Sequence, residues 1–158
     1  MLGNCVEKGV NKCAQYFPLK ARTYMEVGQL VVTCTRQQPL GNECTLRAIE
    51  ISGLPGGEVV RCSHLHYYAW PDHGRPRTTS GIRAMCHHLE ALRAAGTSSS
   101  AAAADDAVTA ASSAAAAAAA GAPIVVHCSA GIGRTGTFCA IDLLLQKFRC
   151  WGSRCAAG

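Results

Sequence analysis

Cys128 and Arg134 stand six positions apart and have the chemical types to act together on an anion. The five residues between them are small or flexible, and they follow a short apolar run. Successive backbone N–H groups of such a loop can turn inward, and the N-terminus of a following helix adds partial positive charge. A guanidinium can also bind two phosphate oxygens at once. The segment therefore predicts a phosphate-binding loop with a thiol at its base.

The dipoles that would hold a phosphate would also stabilise a thiolate at Cys128. Sites of this kind lower a cysteine pKa from about 8.5 to roughly 3.5–7.5, so Cys128 is a candidate nucleophile toward the phosphorus of a bound ester. Nucleotide-binding alternatives are disfavoured, because neither G-x-x-x-x-G-K-[ST] nor G-x-G-x-x-G follows the apolar run. Besides the Arg134 side chain, the expected phosphate ligands are the backbone N–H groups of Ser129, Ala130, Gly131, Ile132 and Gly133.

A second segment, Trp70–Gly74 (Trp-Pro-Asp-His-Gly), offers a carboxylic acid after a run typical of a strand. The phenolate of an aryl phosphate leaves as a strong base unless it is protonated, and Asp72 could donate that proton. The same carboxylate could then activate water in the reverse role. Taken alone, the segment could also be an ordinary turn at the end of a strand.

These segments together resemble one family. The string from His127 to Gly136 resembles the signature loop of the cysteine-based protein tyrosine phosphatases at every position. Trp70–Gly74 resembles the mobile acid loop of that family, which implies that Trp70 and Gly74 serve as hinge and anchor of a closure that excludes bulk water. Residues 5–18, CVEKGVNKCAQYFP, are similar to its E-K-G-x-x-K-C-x-Y-W-P segment, with Phe17 in place of the usual Trp. Three motifs in the family's order favour its tyrosine-specific branch over the dual-specificity branch.

The resemblance implies roles for residues that their types alone would not single out. Glu7 would orient Arg134 through a carboxylate–guanidinium pair, and Lys12 would lie near the acid loop. Thr135 would ease the departure of the thiolate in the second chemical step. His127 would be a structural partner that sets the pKa of the nucleophile. No metal or other cofactor is implied, since thiolate, guanidinium, loop and acid cover every role.

The ten cysteines raise the alternatives of a disulfide framework or a metal site. No C-x-x-C occurs, so zinc-ribbon and thioredoxin-type sites lack their spacing. His64, His66 and His73 could suggest zinc, although strand-edge histidines beside a loop explain them more simply. No signal-peptide pattern opens the sequence, and position 2 is not the Gly that myristoylation needs. We therefore expect a cytoplasmic protein whose thiols are mostly free.

Composition predicts one globular domain and argues against several partner classes. Of the 158 residues, 49% are hydrophobic and 16% are charged, which excludes wholesale disorder. Within 101–122, fifteen of twenty-two residues are Ala, so we interpret 96–122 as a low-complexity insertion in a surface loop. Polyalanine is a poor membrane span. The net charge of +5 is scattered, which suits an anionic substrate and gives no nucleic-acid tract.

The elements that must position these motifs follow a mixed α/β pattern. Turn signals at Pro39–Asn42 and Leu54–Gly57 predict that the first three strands form an antiparallel meander. Ser80 is the expected N-cap of the first helix. The predicted strands are Gln29–Thr35, Cys44–Ser52, Glu58–Ala69 and a buried Pro123–His127, and the predicted helices are Ser80–Ala95 and Arg134–Phe148.

We therefore expect an α/β fold, a mixed and highly twisted sheet flanked by helices, with a strand–phosphate loop–helix active site. The family also has a phosphotyrosine-recognition loop before the E-K-G segment and a Gln-bearing loop after the last helix. Neither stands in this sequence, so we expect 1–158 to be a partial catalytic domain truncated at both ends. Two functions stay open. One is hydrolysis of phosphotyrosine in proteins through a phosphocysteine intermediate, and the other is an inactive fragment or phosphotyrosine-binding pseudophosphatase.

Overall fold

The computed structural model describes residues 1–97 and 123–155. Within these ranges the chain forms six strands, one short 3-10 turn at Pro55–Gly57, and two helices. The insertion predicted at 96–122 lies outside the described residues except for Gly96 and Thr97, which are the last two residues of α1. The elements are β1 (Val6–Glu7), β2 (Val10–Asn11), β3 (Thr23–Val27), β4 (Leu30–Leu40), β5 (Cys44–Ser52), β6 (Val60–Tyr67), α1 (Ser80–Thr97) and α2 (Gly133–Cys155).

The main sheet is an antiparallel meander in the order β3-β4-β5-β6, as the turn signals predicted. Strand β3 was not predicted, and β4 runs beyond its predicted end through Pro39, which pairs with Thr45 of β5. Proline is tolerated there because β3 pairs with β4 only as far as Cys34, so the proline has a neighbouring strand on one side alone.

The first three residues bridge the sheet and the loop that contains Cys128. Leu2 forms a parallel bridge with Tyr67 at the end of β6, and its N–H donates to the His127 carbonyl at 2.9 Å. The Tyr67 N–H in turn donates to the Met1 carbonyl at 2.9 Å. The end of β6, which leads to Asp72, is therefore held close to the residue that precedes Cys128.

The predicted buried strand at Pro123–His127 is wrong. These residues form no strand, and Val125 is 82% exposed. Among the described residues, the backbone hydrogen bond between this segment and the rest of the chain is the one from the Leu2 N–H to the His127 carbonyl, and a single bond does not make a ladder of paired backbone groups. The apolar run does lead into the Cys128 loop, as predicted, but its hydrophobicity does not make it a buried strand.

Two apolar clusters hold the elements together. One packs the end of β6 against both helices and includes Cys128 and Phe138 near the start of α2; the other is built on Phe17, Val32, Cys34 and Ile49. The members of the first cluster are Leu2, Cys44, Tyr67, Trp70, Ile82, Met85, Cys86, Leu89, Cys128 and Phe138.

A bidentate ion pair joins the two helices. Arg93 of α1 donates to both carboxylate oxygens of Asp142 of α2, at 3.0 and 2.7 Å.

Neither described helix is apolar enough over a sufficient length to cross a membrane.

The N-terminus of α1 is capped differently from the prediction. The Ser80 hydroxyl donates to the Glu43 carboxylate at 3.2 Å, and it is Glu43 that accepts the free Gly81 N–H at 3.0 Å. A carboxylate placed there satisfies a helix donor and opposes the positive end of the helix dipole. The cap therefore comes from the turn between β4 and β5, which no local pattern at residue 80 could indicate.

Candidate active site

Cys128 lies at the base of a tight loop between the apolar segment and α2. The side chain is 7% exposed, whereas the five residues that follow it are all exposed. Gly131 has φ of +75°, a conformation that residues with a Cβ rarely adopt. The loop can therefore curl over the sulfur while its own backbone stays open to solvent.

Several groups act on the charge of the Cys128 sulfur. Burial, the largest effect, opposes ionisation, but hydrogen bonds from the Thr135 hydroxyl and from the N–H groups of Thr135 and Gly131 outweigh it, with help from the Arg134 charge. The pKa of the Cys128 thiol is therefore lowered. Thr135 Oγ1 is buried with no hydrogen-bond partner of standard geometry. A thiolate is a stronger acceptor than a thiol, so ionisation of Cys128 gives that hydroxyl its partner.

Arg134 is the second residue of α2, and its side chain is held in place by several hydrogen bonds. Its two terminal nitrogens donate to the two Glu7 carboxylate oxygens at 2.6 and 3.1 Å, and Nη1 also donates to the Trp70 carbonyl at 3.1 Å. Both partners of the ion pair are less than 10% exposed at their side chains. The hydrogen bonds with Glu7 raise the pKa of Arg134 and lower that of Glu7, so both groups stay charged.

The Asp72 carboxylate lies between Arg134 and Lys12. Its Oδ1 lies 3.4 Å from Arg134 Nη2, and its Oδ2 lies 2.7 Å from Lys12 Nζ. The Lys12 hydrogen bond is the main cause that lowers the pKa of Asp72, with smaller contributions from the charges of His73 and Arg134. The structure thus brings together the nucleophile, the guanidinium and the carboxyl group that the sequence singled out.

A small hairpin supplies Glu7 and Lys12. Strands β1 and β2 pair through a two-residue turn in which Lys8 and Gly9 both have positive φ, 52° and 77°, as hairpin turns of this length require. We refer to residues 5–13 as the Glu-Lys hairpin. The Ser129 hydroxyl donates to the Lys12 carbonyl at 3.0 Å, so this hairpin is tied directly to the Cys128 loop.

The Trp-Pro-Asp segment is fastened at both ends. Trp70 is 5% exposed and its ring N–H donates to the Gly74 carbonyl at 3.0 Å. His73 has φ of +54°, an uncommon conformation for a residue with a side chain. The segment therefore forms a tight turn that presents Asp72 toward Arg134.

His127 belongs to a chain of polar rings behind the loop. Tyr16 Oη lies 2.5 Å from His127 Nε2 and 3.2 Å from His64 Nε2. One hydroxyl carries one proton, so Tyr16 donates to one ring and accepts from the other. Burial raises the pKa of Tyr16 and lowers that of His64 to about 3, which keeps both groups neutral. The ring chain supports the residue that precedes Cys128.

The three histidines that could suggest zinc do not converge. His64 and His66 lie at the Phe17 ring, whereas His73 points to solvent with its side chain 91% exposed. Among the described residues, no three His, Cys, Asp or Glu side chains are grouped so that they could hold a metal ion.

Comparison with known proteins shows which protein family contains this chain. The protein-tyrosine phosphatase family model matches residues 1–154. The chain belongs to the protein-tyrosine phosphatase family. The prediction made from the three motifs is thereby confirmed.

Similar proteins include long receptors. The phosphatase-family chain is 34% identical over 151 residues to receptor-type tyrosine-protein phosphatase eta of Gallus gallus. It is 32% identical over 152 residues to receptor-type tyrosine-protein phosphatase H of Homo sapiens. These alignments cover 93% and 96% of this chain but only 9% and 12% of the relatives. The chain thus spans about a tenth of the length of these relatives.

A solved structure has the same fold. The phosphatase PTPN18, in complex with HER2 phosphopeptides, matches with a TM-score of 0.64 and 23% identity, over 89% of this chain and 42% of that one. This likeness confirms the predicted phosphatase-like α/β fold.

Two supporting residues of this phosphatase-family site escaped the sequence analysis. Gly3 has φ of +101°, and a Cβ there would lie 2.0 Å from Arg134 Nη1 and 2.7 Å from Glu7 Oε1. Only glycine leaves room for that ion pair. Tyr16 was visible within the E-K-G segment, but its contact with His127 spans 111 residues of sequence. Neither position carried a local signal of its role.

Proposed function

We propose that this chain hydrolyses phosphotyrosine in proteins through a phosphocysteine intermediate. The observation that carries the proposal is the convergence at one site of Cys128, its pKa lowered, with Arg134 and Asp72. A nucleophile, an anion-binding fork and a proton donor are what cleavage of an aryl phosphate requires.

In the first step the Cys128 thiolate attacks phosphorus and the bond from phosphorus to the tyrosine oxygen breaks. Asp72, protonated, gives its proton to that oxygen, so that tyrosine leaves neutral. Loop N–H groups and Arg134 bind the non-bridging oxygens and stabilise their charge. In this step the phosphoryl group passes to sulfur.

In the second step water replaces sulfur on phosphorus. The Asp72 carboxylate takes a proton from the attacking water, the phosphorus–sulfur bond breaks, and inorganic phosphate is released. The Thr135 hydroxyl hydrogen bonds to the departing thiolate, which makes Cys128 a better leaving group. The thiolate and the protonated Asp72 are then ready for another cycle.

The first step needs Asp72 protonated, although without substrate Lys12 and Arg134 favour its carboxylate. A bound phosphate dianion would change this balance. It would engage the Arg134 charge and place a like charge beside Asp72, and both effects raise a carboxyl pKa. Substrate binding would thus help to protonate its own general acid.

A second candidate is phosphotyrosine binding without turnover. It is favoured by one observation, the ion pairs with Lys12 and Arg134 that hold Asp72 as a carboxylate. If substrate fails to reverse that ionisation, the loop would bind the ester and the tyrosine would not leave.

The test compares two esters on the parent chain, Asp72→Ala and Cys128→Ala. We expect Asp72→Ala to slow hydrolysis of a phosphotyrosine peptide by about 10²–10⁴-fold. The same variant should slow hydrolysis of p-nitrophenyl phosphate less, because the nitrophenolate leaving group needs less protonation. Cys128→Ala should abolish turnover of both esters.

Peptide retention by the same variants separates the two candidates. Turnover by the parent chain, with phosphotyrosine peptide still bound by Asp72→Ala, supports the enzyme. A folded parent chain that binds the peptide and turns over neither ester would favour the binding protein. An equal rate loss for both esters would remove Asp72 from the role of general acid.

A further inference from the structure

Cys5 and Cys13 lie side by side at the base of the Glu-Lys hairpin. The Lys12 and Cys13 N–H groups both donate to the Cys5 carbonyl, at 2.7 and 3.2 Å. Two residues opposite one is the arrangement of a β-bulge. Residues opposite each other on paired antiparallel strands have Cα atoms about 4.5–5.5 Å apart, and disulfides bridge about 4.4–6.8 Å. The backbone spacing therefore suits a disulfide.

The two sulfur atoms also converge. Cys13 Sγ lies 3.4 Å and Cys5 Sγ lies 3.8 Å from the same acceptor, the Ala14 carbonyl oxygen. Burial and the neighbouring Cys13 thiol, which hydrogen bonds to it, raise the pKa of Cys5. Both thiols are free and only partly buried, so a small oxidant can reach them.

We propose that Cys5 and Cys13 form a redox-modification site, which a hydroperoxide converts to an intramolecular disulfide. One of the two cysteines, as its thiolate, attacks the peroxide, whose O–O bond breaks; it becomes a sulfenic acid, and the rest of the peroxide takes up the proton that the thiol released and leaves as water or an alcohol. The second sulfur attacks the sulfenic sulfur, the S–S bond forms, and the hydroxyl group leaves with the thiol proton as water. Two thiols lose two electrons and two protons, and the peroxide gains them.

The pair is separate from the catalytic groups but lies on the element that positions two of them. Glu7 and Lys12 stand between the two cysteines in sequence, and the bulge at Lys12 and Cys13 sets where the lysine enters the site. The disulfide would therefore close the hairpin that holds Arg134 and Asp72.

Trypsin makes the test direct, because it cleaves after Lys8, Lys12 and Lys20 and so separates the two cysteines. The full chain is treated with hydrogen peroxide, remaining thiols are blocked with iodoacetamide, and the digest is analysed by mass spectrometry without reductant. We expect peptides 1–8 and 13–20 as one species, two hydrogens below their summed mass, and dithiothreitol should release both. Cys5→Ser or Cys13→Ser should abolish this species, whereas Cys62→Ser, which removes an exposed thiol of β6, should retain it.

The same oxidation of a Cys128→Ser chain tests whether formation of the disulfide needs the Cys128 thiol. The linked peptides should form in it with the same yield as in the parent, since the pair needs no other thiol. Recovery of the two peptides unlinked after oxidation would overturn the proposal. So would linkage of either cysteine to a different one, or a linked species that appears only when Cys128 is present.

Discussion

At the scale of single residues, the geometry of the site depends on ion pairs in which Arg134 and Asp72 each have two partners. Arg134 contacts Glu7 through both terminal nitrogens and Asp72 through one, while Lys12 holds the other Asp72 oxygen. A buried guanidinium that loses its partner is strongly destabilising, so Glu7 keeps Arg134 in place when no phosphate is bound. Asp72, in contrast, is held by contacts that a phosphate would replace.

The lowered pKa of Cys128 can be measured by its alkylation. Iodoacetamide reacts with the thiolate, so Cys128 should label at lower pH than the exposed thiol of Cys62. Thr135→Val removes the hydroxyl that favours the thiolate, and it should move the midpoint of Cys128 labelling to higher pH. Mass-spectrometric mapping of labelling against pH measures both effects. A Cys128 midpoint equal to that of Cys62 would contradict the described loop geometry.

Lys12 should set the pH range in which Asp72 can act as an acid. Its hydrogen bond lowers the pKa of Asp72, so Lys12→Met should raise that pKa. Because the acid must be protonated, the alkaline limb of the kcat profile for a phosphotyrosine peptide should move to higher pH. Lys8→Met, an exposed change in the same hairpin, is the matched control and should leave the profile unchanged. Identical profiles for the Lys12 variant and the parent would separate Lys12 from Asp72.

At the scale of elements, long-range polar contacts fix the helices against the sheet. Glu43, between β4 and β5, accepts hydrogen bonds from Thr78, Ser80 and the Gly81 N–H at the start of α1. A Cβ at Gly81 would come within 2.6 Å of the Glu43 carboxylate and 2.4 Å of the Tyr67 ring. The approach of helix to sheet is thus set where α1 begins.

Glu43→Ala should destabilise the chain by about 0.5–2 kcal/mol, the usual effect of losing a helix N-cap. Urea unfolding followed by circular dichroism measures the change. Glu26→Ala, at an exposed position of β3, removes the same group without touching a helix and should change stability little. If the two variants unfold at the same urea concentration, the Glu43 cap contributes nothing to stability.

At the scale of the whole molecule, two neutral histidines lie beside the Tyr16–Phe17 segment, His66 buried and His64 half-buried. Burial lowers the pKa of His64 to about 3 and that of His66 to about 4. The Arg47 guanidinium lies 4.9 Å from the centre of the Phe17 ring, and its charge further disfavours protonation of both histidines. The interior behind the site, which already holds the Arg47 charge, therefore resists further positive charge.

Stability should fall as the pH drops below about 6.5. The unfolded chain binds protons at these histidines near pH 6.5, and the folded chain binds them only near pH 3 to 4, so protons favour unfolding in that window. From pH 7 to 5 the loss should be about 2 kcal/mol per histidine. Urea unfolding at both pH values measures it. His64→Gln should reduce the loss, whereas His73→Gln, at an exposed position, should leave it unchanged, and a parent chain equally stable at both pH values would contradict the buried neutral state.

Local sequence was sufficient for much of this protein. A small-residue loop between Cys128 and Arg134 predicts an anion site through backbone geometry alone, and β-branched runs with turn residues predict the meander of β4, β5 and β6. These inferences succeed because loop conformation, strand pairing between neighbours and helix periodicity depend on residues close together in the chain. Residues 98–122 lie outside the described residues, so the predicted insertion stays a prediction.

Tertiary structure alone decided the contacts between distant segments. Three features each depend on which segment lies alongside: the Glu43 cap of α1, the space that Gly3 leaves for Arg134, and the exposure of Pro123–Val125. A sequence pattern indicates whether a residue is apolar or charged, but not which distant residue packs against it or forms its hydrogen bond or ion pair. The salt bridges of Asp72 show the same limit: its type predicts an acid, whereas its ionisation follows from Lys12 and Arg134, 60 and 62 positions away in the chain.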